Sequence, residues 1–283
     1  MRPGIRAPYF ELLTCRLCRF FNYTIMSHEL LSKVGSYDFL VEPFHCDFSH
    51  HIFIGHLGNH LLNAADFHSN ERGYGMDYLN TVHKTWVLSR FVMEMQEMPV
   101  AYDRITVDTW VENVMKFFTS RNFAIRNSNG NTCGYGRSIW AMIDTETRQP
   151  VDILAERDGL ITAYIEDEKP CPIEPFKRVR LSKDAKTAKV IDTHYSDIDV
   201  NGHVNSVKYI EHMLDLWPLD WYRQHRLTRI DIAYTAESYF GDRLHLIVEE
   251  SADGEFDIQI MKQSPDSDTL KEACRGKIKF CEM

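Results

Sequence analysis

The same order of predicted elements occurs twice along this chain, and that repetition limits the available folds more than any other feature. A predicted strand, a helix and four further strands fill residues 34–144, and the same six elements return over residues 188–280. Several strands alternate apolar and polar side chains, as antiparallel strands with one buried face do. Each helix repeats apolar residues at three and four positions. Each half is therefore predicted to be an α+β unit, an antiparallel sheet wrapped around one long helix.

Two short sequence matches support a duplication. Gly55-His56-Leu57 is similar to Gly202-His203-Val204, an offset of 147 (202 − 55). Residues 103–107 are similar to residues 242–246, an offset of 139 (242 − 103). The smaller second offset predicts a helix-to-strand connection that is shorter by eight residues (147 − 139) in the second half.

A proline-rich stretch separates the two units. Three prolines within residues 170–175 cannot continue a helix or a central strand. We therefore expect an N-terminal unit over residues 27–165, a linker over residues 166–187 and a C-terminal unit over residues 188–283. Residues 1–26 are basic and stand apart, and we expect a disordered or non-native extension there, with Met26 as the initiator.

The charge balance restricts the class of partner. A net charge of −9 argues against nucleic acid, which requires clustered lysines and arginines. No apolar run approaches the roughly 20 residues that cross a bilayer, so stable membrane insertion is not expected. The seven cysteines are irregularly spaced and are expected to be reduced thiols. The reduced thiols favour a cytosolic protein, and the absence of a convincing plastid leader favours a bacterial cytoplasmic one, with a plastid location as the alternative.

The candidate catalytic groups lie in one polar loop before the second predicted helix (205–217). Asp199, Asn201 and His203 occupy alternate positions of that loop. Side chains at i, i+2 and i+4 of an extended segment point to the same side, so the three are expected to converge. The following helix N-terminus offers backbone N–H groups to negative charge. Taken alone, Asn201-Gly202 is equally a turn signal.

The stretch from Asp197 to Ile210 resembles the active-site segment of acyl-acyl carrier protein thioesterases, the plant plastid enzymes and their bacterial relatives. That family has the pattern D-x-D-V-N-x-H-V-N-N-V-K-Y-I, from which this chain departs at Ser206. The order of predicted helices and strands resembles that of the family over residues 28–283. It implies a tandem (double) hotdog fold and hydrolysis of acyl-acyl carrier protein to free fatty acid and holo-acyl carrier protein in fatty acid biosynthesis. It implies no cofactor and no metal.

The resemblance also implies a fourth catalytic residue, a glutamate on the next strand, which corresponds to Glu237. Ser238 stands where the plant enzymes have a cysteine, but no Gly-x-Ser-x-Gly elbow surrounds it, so attack by water or a carboxylate is expected. Glu237 or Asp199 would be the base or nucleophile. Asn201 would position the thioester carbonyl, and His203 would donate to the oxyanion or protonate the thiolate.

The duplication predicts that the second half alone is catalytic. At the offset of 147, the partners of the three loop residues are Ile52, Ile54 and His56. The first half is therefore expected to have lost the chemistry and to bind the acyl chain between its helix and sheet. The candidate substrate contacts are Trp86, Leu88, Arg90, Leu61 and Ala65.

Acyl carrier protein is acidic, so a basic patch on this acidic chain would steer it. The candidate docking residues are Lys177, Arg178, Arg180 and Lys208, with Arg223, Arg226 and Arg229 as further members of the patch. A homodimer is left open, because a tandem hotdog supplies its own pseudo-dimer. His56 and His60 lie one helical turn apart, but no acidic or cysteine ligand completes a known metal-binding spacing, so no metal is expected.

Three other functions stay open on sequence alone. The chain could be an acyl-coenzyme A thioesterase, a hotdog dehydratase or a non-catalytic acyl-binding module. Release of a free thiol separates a hydrolase from a dehydratase, which leaves the thioester intact.

Overall fold

The computed structural model describes residues 30–283, so the expectations for residues 1–26 lie outside it. In this part of the chain, ten strands form one sheet. The strands are β1 (Val34–Leu40), β2 (Lys84–Met95), β3 (Arg104–Val114), β4 (Phe118–Asn127), β5 (Thr132–Asp144), β6 (Thr187–Asp192), β7 (His225–Tyr234), β8 (Arg243–Ala252), β9 (Glu255–Gln263) and β10 (Leu270–Glu282). The α-helices are α1 (Ile54–Glu71), α2 (Met76–Leu79), α3 (Ser206–Leu214) and α4 (Leu219–Tyr222).

The sheet has an approximate twofold axis at its centre. Its strand order is β1-β3-β4-β5-β2-β7-β10-β9-β8-β6, with every neighbouring pair antiparallel. Val92 of β2 lies opposite Asp231 of β7, and the pairs on either side are Phe91–Ile232 and Met93–Ile230. The two halves therefore join at β2 and β7, and the predicted tandem arrangement of two similar units is confirmed.

Helix α1 supplies the core of the first half. Its apolar residues at three- and four-residue spacing, Leu57, Leu61 and Ala64, are fully buried. Burying a leucine of this kind contributes roughly 1.5–3 kcal/mol. The predicted helix over residues 56–70 is confirmed, and the observed helix is slightly longer. It is followed by Gly73 in a left-handed conformation with φ of 79°, which glycine adopts without strain.

Helix α3 is shorter than its predicted range of 205–217. It begins after the Asn205 side chain, which accepts a hydrogen bond from the Val207 backbone N–H at 2.9 Å, and it ends at Leu214. Pro218 accounts for the early end, because it has no N–H to donate to the Leu214 carbonyl, which accepts the Trp217 N–H at 3.3 Å instead. The displaced Trp217 packs instead against Phe256 and Phe280, at centroid distances of 4.9 and 5.0 Å.

The internal repeat has a different alignment from the predicted one. The bridge Cys46–Ile52 in the first half matches the bridge Ile198–Val204 in the second, an offset of 152 (198 − 46). The Gly-His match at offset 147 is therefore wrong, because Gly55 lies inside α1 whereas Gly202 lies in the loop before α3. The offset of 139 for the strands agrees with the pairing at the centre of the sheet, where Val92 lies opposite Asp231, 139 residues later (231 − 92). The second half is thus shorter by 13 residues (152 − 139), not eight.

The connection between the halves is held by side chains of the sheet. Residues 166–186 form no helix or strand. Trp110 Nε1 donates to the Lys169 carbonyl at 3.1 Å, and Arg137 Nη2 donates to the Cys171 carbonyl at 2.6 Å. Cys171 and Ile173 are buried. Within residues 30–283, no helix is long and apolar enough to cross a membrane.

His68, near the end of α1, makes the stability of the fold depend on pH. Burial, with Arg121 and Arg72 nearby, lowers its pKa from 6.5 to about 2. The folded protein therefore keeps this imidazole neutral while the unfolded chain binds a proton below pH 6.5. The stabilisation is full above pH 6.5 and is lost as pH falls from 6.5 towards 2, by about 1.4 kcal/mol per pH unit.

We expect His68→Gln to weaken this pH dependence. Glutamine can still donate to the Lys33 carbonyl, which lies 3.0 Å from His68 Nε2, but it does not titrate. Between pH 7 and pH 5 the variant should lose about 2 kcal/mol less unfolding free energy than the wild-type protein. Urea unfolding at the two pH values measures the difference. An equal loss in both proteins would assign the acid sensitivity to other groups.

Candidate functional site

The loop that carries Asp199, Asn201 and His203 is a tight turn. The Asp199 N–H donates to the His203 carbonyl at 2.8 Å, and the Gly202 N–H donates to the Asp199 carbonyl at 3.0 Å. Gly202 has φ of 79°, in the left-handed region that glycine adopts freely. The expectation of an extended segment is therefore wrong, because these backbone hydrogen bonds fold the segment back on itself.

The Asp199 carboxylate shapes this turn. Its Oδ1 accepts the backbone N–H groups of Asn201 and His203, at 2.8 and 3.3 Å. Aspartate commonly stabilises turns by accepting backbone N–H groups two or more residues further on. Asp199 thus fixes the backbone that carries Asn201 and His203, whichever further role it has.

One backbone hydrogen bond docks the loop on the segment after β7. The Val204 N–H donates to the Ser238 carbonyl at 2.8 Å, so His203 lies beside Glu237. The four predicted catalytic residues all line one cavity of about 700 Å³. They are Asp199, Asn201, His203 and Glu237. Ser206, the first residue of α3, lines the same cavity, so the positive end of that helix lies at its wall.

Glu237 is the most connected of these side chains. Its Oε2 lies 3.5 Å from His203 Nε2 and accepts a hydrogen bond from the Tyr239 hydroxyl at 3.2 Å. Its Oε1 forms an ion pair with Arg148. Tyr239 also packs edge-on against the His203 ring, at a centroid distance of 5.1 Å. The imidazole and the carboxylate are thus held together within reach of a shared substrate.

Arg148 is a site residue that sequence reasoning missed. It belongs to the first half, in the turn after β5, and reaches across to a glutamate of the second half. Its φ of 61° is unusual for a residue with a side chain, and its N–H donates to the Asp144 carbonyl at 2.9 Å. No local signal in the sequence could connect it with Glu237, 89 residues later.

Ser238 is fully buried and does not line the cavity. Its backbone carbonyl accepts the Val204 N–H and so holds the loop of Asp199, Asn201 and His203 in place. A hydroxyl with no access to the cavity is not placed to attack a substrate there. The structure thus agrees with the expectation that Ser238 is not the nucleophile.

The first half contributes the opposite wall of the cavity. Trp86 and Leu88 of β2 line it, together with Phe118 and Ile143. Of the other predicted substrate contacts, Ala65 lines a small separate cavity of about 60 Å³, which it shares with Trp86.

The prediction that Leu61 and Arg90 contact the substrate is wrong, because neither residue lines either of these two cavities. Leu61 is a fully buried core residue that lines neither cavity. Arg90 is exposed, and its guanidinium lies over the Phe176 ring at 5.3 Å. Regular alternation would place it on the same side as Trp86 and Leu88, but a register shift between Leu88 and Arg90 interrupts the alternation and turns Arg90 away from the cavity.

The first half retains the loop but not the full set of candidate catalytic groups. By the bridge alignment, Asp199, Asn201 and His203 correspond to Asp47, Ser49 and His51, so the correspondence with Ile52, Ile54 and His56 is wrong. Asp47 Oδ1 accepts the N–H groups of Ser49 and His51, as Asp199 does in its own loop.

The position that corresponds to Glu237 shows what the first half lacks. The Ile52 N–H donates to the Pro99 carbonyl at 3.0 Å, in the same way that Val204 donates to Ser238. Met98 therefore stands where the second half has Glu237. The first-half loop thus has neither the carboxylate of Glu237 nor the amide of Asn201.

The predicted docking residues do not form one free patch. Arg178 and Arg180 are exposed, whereas Lys177 lies 3.8 Å from Glu255 and Lys208 pairs with Glu211 at 2.6 Å. Arg223 pairs with Asp220 at 2.6 Å, and Arg226 donates to the Gln96 carbonyl at 3.0 Å. The prediction that Arg229 belongs to a surface patch is wrong, because this residue is only 4% exposed. Its position at the centre of the sheet, opposite Glu94, buries it.

Comparisons with known proteins identify the family of this chain. The sequence matches the family profile of the acyl-ACP thioesterase N-terminal domain over residues 33–159 and that of the C-terminal domain over residues 181–280. A palmitoyl-acyl carrier protein thioesterase of Arabidopsis thaliana chloroplasts is 31% identical over 190 residues, covering 63% of this chain and 46% of that protein. The chain spans about half the length of the curated relatives it matches.

Solved structures share the fold. An acyl-ACP thioesterase from Bacteroides thetaiotaomicron superposes with a TM-score of 0.81 at 45% identity, covering 88% of this chain and 98% of that one. The 12:0-ACP thioesterase of Umbellularia californica superposes with a TM-score of 0.77 at 18% identity, covering 90% and 100%, a likeness of fold. With both family domains matched in order along one double-hotdog sheet, the chain belongs to the acyl-ACP thioesterase family.

Proposed function

We propose that this protein hydrolyses the thioester of acyl-acyl carrier protein, releasing a free fatty acid and holo-acyl carrier protein. The observation that carries this proposal is the contact of His203, Glu237 and Arg148 at a cavity built from both halves. About 700 Å³ is within the range of pockets that enclose small ligands. Trp86 and Leu88 give the cavity an apolar wall suited to an acyl chain.

In the proposed mechanism, Glu237 is the general base. Its carboxylate takes a proton from a water molecule, whose oxygen attacks the thioester carbonyl carbon. The Asn201 amide donates a hydrogen bond to the resulting oxyanion. When the C–S bond breaks, His203 passes a proton to the leaving sulfur and recovers one from Glu237, which returns to its ionised form. The products are a carboxylic acid and a thiol, and no cofactor is consumed.

Arg148 has a positioning role in this scheme. An adjacent guanidinium stabilises the ionised form of a carboxylate and restricts its orientation. Glu237 held between Arg148 and Tyr239 has one oxygen directed towards His203. The site is complete only when the two halves come together, because Arg148 belongs to the first half.

We expect Arg148→Ala to lower kcat about tenfold, which corresponds to about 1.4 kcal/mol of transition-state stabilisation. Arg148→Lys should recover part of the loss, because it keeps the positive charge but not the paired guanidinium donors. Steady-state kinetics with acyl-acyl carrier protein give the two values. A matched control is Arg157→Ala, at another left-handed residue of the first half that does not line the cavity. Equal activity in all four proteins would remove Arg148 from the site.

The direct test is free-thiol release from acyl carrier protein loaded with chains of graded length. The same chains on coenzyme A identify an acyl-coenzyme A thioesterase if they react faster. Formation or loss of a double bond with the thioester intact would identify a dehydratase. Saturable acyl-protein binding with no turnover would support a non-catalytic acyl-binding module.

The exposed Arg178 and Arg180 are the remaining candidates for carrier docking. Their positive charge on a chain of net charge −9 would attract an acidic carrier, and that attraction weakens as salt screens it. The homodimer and the bacterial cytoplasmic location also stay predictions.

A further inference from the structure

A carboxylate and two imidazoles of the first half meet away from the catalytic residues. Glu42 follows β1, His45 ends the 3₁₀ turn Pro43–His45, and His60 lies on α1. His45 Nδ1 is 3.1 Å and His60 Nε2 is 3.9 Å from Glu42 Oε2. One ligand atom from each of the three residues lies within 4.8 Å of the other two. Sequence spacing did not reveal Glu42 as a partner of the histidines, because Glu42 comes close to His60 only when the fold packs the end of β1 against α1.

His60 is the residue that points to a ligand. It is 8% exposed, and its Nε2 is buried without a hydrogen-bond partner among residues 30–283. Buried polar atoms are normally satisfied, so this nitrogen calls for an explanation. The ring stacks on Phe39 at a centroid distance of 4.5 Å, which holds the nitrogen on the side of Glu42. An ion between the two side chains would satisfy it.

The distances suit a metal ion. Zinc takes nitrogen and oxygen ligands at about 2.0–2.2 Å in a tetrahedral arrangement, which places neighbouring ligand atoms roughly 3.3 Å apart. The observed 3.1 and 3.9 Å lie on either side of that value. We propose that Glu42, His45 and His60 bind a divalent first-row transition-metal ion such as Zn²⁺. Two imidazoles favour such an ion over Mg²⁺ or Ca²⁺, which prefer oxygen ligands.

The second half shows why its equivalent cluster is different. By the bridge alignment, Glu42, His45 and His60 correspond to His194, Asp197 and His212. The order of carboxylate and imidazole is exchanged, and Asp197 accepts the backbone N–H of His194 at 2.7 Å. That carboxylate therefore serves the turn before the catalytic loop. Among residues 30–283, Glu42, His45 and His60 form the group whose three ligand atoms all lie within 4.8 Å of one another, and the second-half residues do not.

The metal site ties the segment between β1 and α1 to the central helix of the first half. Its ligands line neither the catalytic cavity nor the small cavity beside Ala65. Its effect is therefore on the stability of the first half, and the proposal does not depend on hydrolysis by the second. Metal-free protein should retain the His203–Glu237 site.

The test uses the full chain, dialysed against a chelator and titrated with ZnCl₂ by calorimetry and with CoCl₂ by visible absorption. We expect one equivalent of metal, a rise in Tm with added Zn²⁺ and a tetrahedral cobalt spectrum without thiolate charge transfer. Glu42→Gln and His45→Asn alter partly exposed side chains, so both should fold and should weaken binding at least tenfold. His83→Asn is the matched control, because His83 is exposed, lies 3.6 Å from Glu146 and is not a member of the cluster of Glu42, His45 and His60.

Three results would overturn the proposal. They are no binding by the wild-type protein, binding that Glu42→Gln and His45→Asn leave unchanged, and a cobalt spectrum with thiolate ligands. His60→Asn provides a further check through the Tm shift: a rise with Zn²⁺ as large as that of the wild-type protein would exclude His60 as a ligand. Thiol-release activity measured in the same samples is expected to be similar with and without metal.

Discussion

Glu237→Gln is expected to lower kcat for thioester hydrolysis by about 10²- to 10⁴-fold, the range that a general acid or base contributes. Glutamine preserves the size of the side chain and can still accept a hydrogen bond from Tyr239. It cannot take a proton from water, and it loses the ion pair with Arg148. Thiol release under single-turnover conditions measures the chemical step. Glu146→Gln, on an exposed glutamate close to Arg148 in sequence, is the matched control and should retain full activity.

The same experiment distinguishes Glu237 from Asp199 as the base. Asp199→Asn keeps an oxygen that accepts the N–H groups of Asn201 and His203, so the turn should persist. If Glu237 is the base, kcat of Asp199→Asn falls far less than that of Glu237→Gln. The reverse order would assign proton transfer to Asp199. A kcat within threefold of wild type in Glu237→Gln would contradict the mechanism proposed here.

Arg229→Met is expected to lower the free energy of unfolding by about 3–5 kcal/mol, the cost of leaving a buried charge without its partner. Arg229 donates to both oxygens of Asp231 at 2.7 Å and to Glu94 at 2.7 Å. It also donates to the Glu174 and Pro175 carbonyls, each at 3.0 Å. The substitution would therefore weaken the contact between β2 and β7 and the hold on the linker. Urea unfolding gives the loss directly.

The double variant Arg229→Met/Asp231→Leu is the informative comparison. Removing both charges leaves no buried carboxylate unpaired, so at least half of the lost stability should return. The Lys177 N–H, which donates to Asp231 at 3.0 Å, would still lose its acceptor. Arg226→Met, an exposed position on the same strand, should change the unfolding free energy by about 0.5 kcal/mol or less. A double variant no more stable than Arg229→Met would show that the arginine acts mainly through the linker carbonyls.

Much of the fold was predictable because its signals are local. The alternation of apolar residues in β3 and the three- and four-residue spacing of Leu57, Leu61 and Ala64 follow from the periods of a strand and a helix. The Asn-Gly turn between β4 and β5 was equally clear, and Gly130 has φ of 81° there. The end of α3 was misplaced, because the N–H that Pro218 lacks is the one that would bond to the Leu214 carbonyl, four residues earlier.

The alignment of the repeat shows where local similarity fails. Three similar letters, Gly-His followed by an aliphatic residue, indicated an offset of 147, whereas hydrogen bonding shows 152. Spatial equivalence in a sheet is set by register, and register depends on partners that are distant in sequence. The correction changes the comparison between the halves. The first half kept Asp47 and His51 and lacks the carboxylate that Glu237 supplies.

The sequence by itself determined the order of elements, the tandem organisation and the identities of Asp199, Asn201 and His203 as a group in one loop. It could do so because each element and the loop are set by residues close together in the chain, and the repeat appears as the same order of elements twice. The tertiary structure alone decided that Arg148 of one half meets Glu237 of the other, that Arg229 is buried and that Glu42 faces His60. Each of these depends on side chains from separate elements reaching one point, and pairing across the sheet, rather than spacing along the chain, sets those distances.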